Sequence, residues 1–272
     1  GMSRTRPGQV ARVGIIGTGV IGSGWALHFM AQGLDVVAWD PDPDCERRFA
    51  RMRDNAWPAL ERLGLRPGAT PRRIRFVATL EQAVSEVDVV QESSPEALES
   101  KINTLARIDA AAASDTVLLS STSGLRMTDM QVKCRHPERT VVGHPFNPPY
   151  LVPLVEVVGG ERTAPDAVDW ACAFYTAFGK HAVKLNREVP GFIATRLQEA
   201  MWREMLHMVN AGEATVQQID EAITNGPGLR WAIIGPGMTY HLGGGDGGMA
   251  HVLDQFGPSL KWPWTRLEAP EL

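Results

Sequence analysis

From Arg12 to about Lys184, short β-branched apolar runs alternate with stretches of helical periodicity. Runs that are apolar along their whole length and separated by helices mark strands buried on both faces of a parallel sheet. The pattern predicts strands at residues 13–16, 36–39, 74–77, 87–91, 117–119, 141–144 and 154–158, with helices at 21–32, 44–63, 96–112 and 166–178. Pro145, Pro148, Pro149 and Pro153 separate the last two strands, so the sheet is expected to finish with an irregular or antiparallel turn and no further helical crossover. After Lys184 the texture changes. Pro190-Gly191 opens a helical run to about Ala211, apolar at Phe192, Leu197, Met201, Met205 and Met208, and glycine-proline breaks separate shorter helical pieces beyond it. The expected class is α/β: a doubly wound, mostly parallel sheet over residues 1–187, then a smaller all-helical domain over 188–272. A helical domain of that size is near the limit of independent stability, so its Met- and Trp-rich faces are expected to be covered by a second subunit, giving a homodimer.

The first predicted strand runs straight into Gly17-Thr18-Gly19-Val20-Ile21-Gly22, then a helix, a second strand and Asp40 at that strand's end. A glycine triplet alone is weak evidence. Its place between strand and helix, with the acid downstream, is the dinucleotide-binding context of a Rossmann-type sheet. Gly17 allows the tight turn, Gly19 lets backbone approach a pyrophosphate, and Gly22 lets the helix pack close on the sheet. The helix start, with Thr18, Val20 and Ile21 in the same loop, offers unpaired N–H groups to phosphate oxygens. Asp40 can accept from both hydroxyls of an adenosine ribose and would repel a 2′-phosphate, which favours NAD over NADP. A glycine turn serving no dinucleotide is the bland alternative, and all five elements together outweigh it.

Composition narrows the class. At 272 residues, 44% apolar and 21% charged, the chain has the make-up of a soluble globular enzyme. Its net charge of -4 is mild and no basic stripe runs through it, so no nucleic-acid partner is expected; Arg72, Arg73 and Arg75 read as a solvated face. No apolar run reaches membrane-spanning length and no signal-peptide core is evident, so no membrane partner is expected either. Cys45, Cys134 and Cys172 are widely spaced and read as free thiols of a reducing, cytoplasmic compartment. His28, His136, His181, His207, His241 and His251 show no metal-ligand spacing, and no metal is expected. Gly1 ahead of Met2 reads as an expression scar.

A hydride-accepting cofactor needs a partner that takes the proton from a substrate hydroxyl. His144 is the best candidate, because it ends an apolar strand and enters a proline-rich loop, where ligand-facing residues of open α/β sheets sit. Glu156 lies among valines in the following strand, and a buried acid there needs a partner. An imidazole is the natural one: the carboxylate would hold Nδ1–H and leave Nε2 as base. Alone, His144 would read as a structural histidine; the pairing with Glu156 reverses that. The hydroxyls of Ser120-Ser121-Thr122-Ser123 follow another strand and could orient a substrate or, equally, cap a helix.

These residues together resemble the 3-hydroxyacyl-CoA dehydrogenase family along essentially the whole chain. The resemblance runs through the glycine turn, Ser121-Thr122-Ser123, His144-Pro-Phe146-Asn147-Pro148, Val155-Glu156-Val157 and Pro190-Gly191-Phe192, in that order. It implies NAD as cofactor, His144 as base, Glu156 as its orienter and Ser123 as the hydroxyl that hydrogen-bonds the reacting oxygen. It also places Glu96 and Lys101 at positions that contact the nicotinamide half of NAD. Two departures bear on the substrate. Thr195 stands where the family has an active-site asparagine, and residues 54–62 lack the lysines that acyl-CoA members carry after the second strand. The C-terminal half is similar instead to the carnitine-oxidising branch, in 226–232, 239–249 and 256–265. That similarity implies a small hydroxy acid as substrate, L-carnitine going to 3-dehydrocarnitine, with Thr195, Trp231 and Tyr240 as substrate candidates. Trp231 is still more often core or interface than a cation cage. Acyl-CoA or L-gulonate-type oxidation and a non-catalytic, crystallin-like NAD-binding role are the alternatives. Relatives of this kind continue with further helices past the point matching Leu272.

Overall fold

The computed structural model describes residues 3–272; the expectation for Gly1 lies outside the described residues. Two units are distinguished, the first ending at Ile193 and the second beginning at Ala194. In chain order the first runs β1 (Arg12–Ile16), α1 (Val20–Ala31), β2 (Asp35–Trp39), α2 (Cys45–Leu63), β3 (Ile74–Phe76), α3 (Leu80–Val84), β4 (Val89–Glu92), α4 (Leu98–Ala111), β5 (Val117–Ser120), α5 (Met127–Met130), β6 (Thr140–Pro145), β7 (Leu154–Gly159), α6 (Pro165–Ala177) and β8 (His181–Lys184).

The strands form one sheet in the order β3-β2-β1-β4-β5-β6-β7-β8. Successive strand residues point to opposite faces, and each face has its own core. Val13, Ile15, Val36, Ala38, Val89, Leu119, Val141 and Val157 pack with Trp25 and Phe29 of α1, Phe49 of α2 and Phe174 of α6. The alternate residues Ile16, Val37, Val90, Leu118, Val142 and Val158 pack with Leu80 and Ala83 of α3, Leu105 of α4 and Met127 of α5. Both faces are therefore dry, which is why the strands read as continuous apolar runs. Strand order reverses between β1 and β4, and the crevice at such a switch point, at the C-terminal strand ends, is where ligands bind in this architecture.

The end of the sheet corrects one expectation. β6 and β7 are antiparallel, as the intervening prolines predict, but the sheet does not stop there. The chain crosses through α6 and returns as β8, parallel to β7. His181-Ala-Val-Lys184 is an edge strand with both ends exposed, so it never needed the apolar run by which its neighbours are recognised.

The second unit is wholly helical: α7 (Ala194–Asn210), α8 (Val216–Thr224), α9 (Pro227–Trp231), α10 (Pro236–Gly243) and α11 (Gly248–Phe256). The start of α8 is fixed by a reciprocal cap, Thr215 Oγ1 accepting Gln218 N–H at 3.1 Å and Gln218 Oε1 accepting Thr215 N–H at 2.9 Å. Gly248 is the one buried position among this unit's described residues, and Leu197, Met201, Leu242, Leu253 and Phe256 all stand exposed.

Candidate active site

Gly17 follows β1 with φ +87°, a left-handed turn, and a Cβ there would sit 2.6 Å from the Ser93 carbonyl oxygen. A Cβ on Gly22 would lie 1.8 Å from the Gly17 carbonyl, so the start of α1 can approach β1 only without one. Gly19 differs: nothing lies within 4 Å of a Cβ there. Nothing inside the protein therefore demands glycine at that point, and the open space in front of it fits a phosphate. Thr18 supports the same fit, since its Oγ1 is buried with no hydrogen-bond partner. A cleft of ≈ 450 Å³ beside the loop is lined by Gly17, Gly19, Trp39, Asp40, Ser93 and Arg107 among others.

Asp40 closes that cleft at the end of β2. Its Oδ2 accepts Thr18 N–H at 2.8 Å and its Oδ1 accepts Asp42 N–H at 2.8 Å, so the carboxylate also braces the glycine loop. Asp40 has a counter-charge nearby: Arg48 of α2 comes within 3.7 Å of Oδ1. Arg48 binds Asp42 more closely, at 2.9 Å, so one guanidinium serves two carboxylates and the corner stays net negative.

A second cavity of ≈ 230 Å³ gathers Ile21, Ser93, Ser94, Glu96, Lys101, Ser121, Ser123, His144 and Pro145. Five of these are the residues to which the resemblance or the glycine turn assigns a site role: Ile21, Glu96, Lys101, Ser123 and His144. His144 and Glu156 are direct cross-strand partners of β6 and β7, on the α3–α5 face. His144 Nδ1 lies 3.2 Å from Glu156 Oε1, and both side chains are buried. A carboxylate only accepts, so Nδ1 carries the hydrogen and Nε2 keeps its lone pair. Glu156 Oε2 accepts the Ile193 N–H at 2.8 Å. Phe146 and Phe192 wall the imidazole, their ring centroids 4.9 Å and 5.2 Å from it.

Glu96 stands before α4 and ties down the end of β5. It accepts the Ser123 N–H at 3.0 Å, the Ser123 hydroxyl at 3.2 Å and the Thr122 hydroxyl. Lys101 is buried, and its Nζ donates to Glu92 at 2.9 Å and to the Ser94 carbonyl at 2.9 Å. Glu92 also accepts from Ser120 Oγ at 2.6 Å and Ser94 N–H at 2.7 Å. Sequence reasoning missed Glu92. The sign was available, since Gln91-Glu92 are polar residues closing an otherwise apolar strand at the sheet's ligand end.

Thr195 lies in the first turn of α7, half-buried. Trp231 and Tyr240 line one cleft of ≈ 360 Å³ within the helical unit, together with Arg230, Thr239, Val252 and Phe256. The charged side chain in its wall is that of Arg230. Among the described residues no group of acids, histidines and cysteines could hold a metal, and no helix is long and apolar enough to cross a membrane.

Residues 12–189 match the NAD-binding domain of 3-hydroxyacyl-CoA dehydrogenase, and residues 191–271 match its C-terminal domain. The L-carnitine dehydrogenase of Streptomyces griseus is 63% identical over 98% of this chain and 79% of its own length. That of Pseudomonas putida is 54% identical over 97% and 82%. Among solved structures, an NAD+-dependent 5-formyl-3-hydroxy-2-methylpyridine 4-carboxylic acid 5-dehydrogenase superposes with TM-score 0.79 at 31% identity, over 93% of this chain and 78% of the other. The 3-hydroxybutyryl-CoA dehydrogenase of Escherichia coli gives 0.73 at 27% identity, over 94% and 54%. With both halves of the chain matched in order, the chain belongs to the 3-hydroxyacyl-CoA dehydrogenase family.

Proposed function

We propose that this NAD-dependent dehydrogenase oxidises the 3-hydroxyl of L-carnitine to 3-dehydrocarnitine. The observation that carries the chemistry is the buried His144–Glu156 pair opening into the cavity shared with Ser123 and Glu96. Bound NAD supplies the hydride acceptor. Gly17, Thr18, Gly19, Val20, Ile21 and Gly22 would cradle its pyrophosphate on backbone N–H groups, and Asp40 would take the adenosine ribose through the lone pairs that Thr18 and Asp42 leave free. His144 Nε2 takes the hydroxyl proton, and Glu156 stabilises the imidazolium that results. The Ser123 hydroxyl, held by Glu96, turns to donate to the oxygen as it becomes a carbonyl. Glu96 and Lys101 fix the wall beside the nicotinamide, Lys101 by holding Glu92 in place.

The substrate assignment rests on the high identity to L-carnitine dehydrogenases over nearly the whole chain. The absence of lysine on α2 supports it less than the sequence suggested. That helix carries Arg47, Arg48, Arg51, Arg53 and Arg62, so it is free of lysine but not of positive charge. The helical-unit cleft adds a chemical argument. Trp231 and Tyr240 offer aromatic faces of the kind a trimethylammonium group takes. Thr195 is proposed as a further contact, in place of the family's asparagine. A homodimer covering the exposed helical faces, and a reducing compartment in keeping with three free cysteines, complete the reading.

The test is a panel of L-carnitine, L-gulonate and 3-hydroxybutyryl-CoA followed by NADH absorbance. Carnitine is expected to turn over, with the others far behind, and the tert-butyl isostere of carnitine is expected to be poorer, since cation–π attraction contributes on the order of 0.5–2 kcal/mol. Trp231→Ala should narrow that gap. Efficient oxidation of 3-hydroxybutyryl-CoA without response to carnitine would reject the substrate.

A further inference from the structure

The sheet face covered by α1 and α6 carries a polar chain that the proton-transfer groups do not use. Trp25 Nε1–H donates to Ser121 Oγ at 3.0 Å, and Gln91 Nε2 donates to the same oxygen at 2.8 Å. The Gln91 amide is oriented from both ends. Its Nε2 also reaches the Gly143 carbonyl at 3.2 Å, which can only accept, and its Oε1 receives the Tyr175 hydroxyl at 2.6 Å. Gly143 makes room for this, because a Cβ there would lie 1.9 Å from the Tyr175 oxygen.

An indole N–H cannot accept, and this amide nitrogen has no acceptor capacity. Ser121 Oγ therefore receives two hydrogens, which fill its lone pairs, and its own proton has to be given away. The group in reach is Ser93 Oγ, at 2.8 Å. Geometry alone leaves the direction of that bond open; the neighbours decide it. Ser93 accepts from Ser121 and keeps its own proton, for which the described residues hold no acceptor. Ser93 is half-buried and lines both cavities, the one with Gly19 and Asp40 and the one with Ser123 and His144.

We infer that Ser93 is a hydrogen-bond donor to the dinucleotide on the nicotinamide side of its pyrophosphate, with Trp25, Gln91 and Ser121 as positioning residues that fix the donor direction. The inference rests on NAD as cofactor. Ser93→Ala and Ser93→Cys would be titrated with NADH, ADP-ribose and AMP, by fluorescence and calorimetry, beside ligand-free melting. Loss of one such bond is expected to weaken NADH and ADP-ribose roughly fivefold to thirtyfold in Ser93→Ala, less in Ser93→Cys, with AMP affinity unchanged and the ligand-free melting temperature lowered only modestly, because Ser121 loses the acceptor of its proton. NADH affinity within twofold of wild type in Ser93→Ala would overturn the assignment. So would an equal loss for AMP, which lacks the nicotinamide-side ribose and phosphate. A wild type that did not bind NADH would reject the cofactor itself, and this proposal with it.

Discussion

His144 and Glu156 are twelve positions apart in sequence and opposite each other across two antiparallel strands. The second contact of the carboxylate sharpens what each should do. Glu156 Oε2 is held by the Ile193 N–H, a donor that cannot become an acceptor. In Glu156→Gln the amide oxygen would therefore turn to Ile193 and present its NH2 to His144 Nδ1. Nδ1 would then have to accept, and the ring proton would move to Nε2, the atom that serves as base. Both His144→Gln and Glu156→Gln are thus expected to bind NADH with near-native affinity and to lose roughly 100-fold to 10,000-fold in kcat. Nitrogen NMR of the ring would report the tautomer change in Glu156→Gln. Near-native turnover by His144→Gln would send the proton elsewhere.

At the scale of elements, the junction of α1 with the α6–β8 turn is held by a buried histidine. His28 Nε2 lies 2.6 Å from the Phe178 carbonyl, which can only accept, so that nitrogen carries a proton. Burial pushes its pKa down to about 3, with a smaller push from the charge of Lys180. Unfolded, the same ring titrates near 6.5. Between those values the unfolded chain holds the extra proton, so stability is full above pH 6.5 and is lost as pH falls through that range. By pH 5 the loss is about 2 kcal/mol, the slope approaching 1.36 kcal/mol per unit below pH 6.5. His28→Gln should flatten urea-denaturation midpoints across that window relative to wild type; parallel curves would remove His28 from the account.

The two units of the molecule bury themselves very differently. The sheet unit has a core on each face, whereas no described side chain of the helical unit is buried and Ile233, Leu260 and Trp264 are more than two-thirds exposed. So much apolar surface is costly in water, at about 25 cal/mol per Å². A second copy covering it is the homodimer proposed above. Sedimentation equilibrium at micromolar concentration should return about twice the 29.7 kDa chain mass. A stable monomer of that mass would overturn the dimer.

Much of this protein was legible before any fold. Strands buried on both faces must be apolar throughout, so β1, β2, β4, β5, β6 and β7 announced themselves to within two residues. Gly17 and Gly22 were readable because a turn with positive φ and a helix packed against a strand leave no room for a side chain. His144 and Glu156 stood out as polar residues in apolar strands. Pairing and direction were decided only in three dimensions. β8 was missed because His181 and Lys184 stand exposed and leave only Ala182-Val183 as its apolar run. Arg48 beside Asp40, Lys101 under Glu92 and the grip of Glu96 on Ser123 join residues whose sequence separation carries no period. Hydrogen-bond direction needed more still. A serine hydroxyl has no polarity of its own, and Ser93 acquires one only when Trp25, Gln91 and Ser121, brought in by α1, β4 and the end of β5, occupy every other lone pair around it.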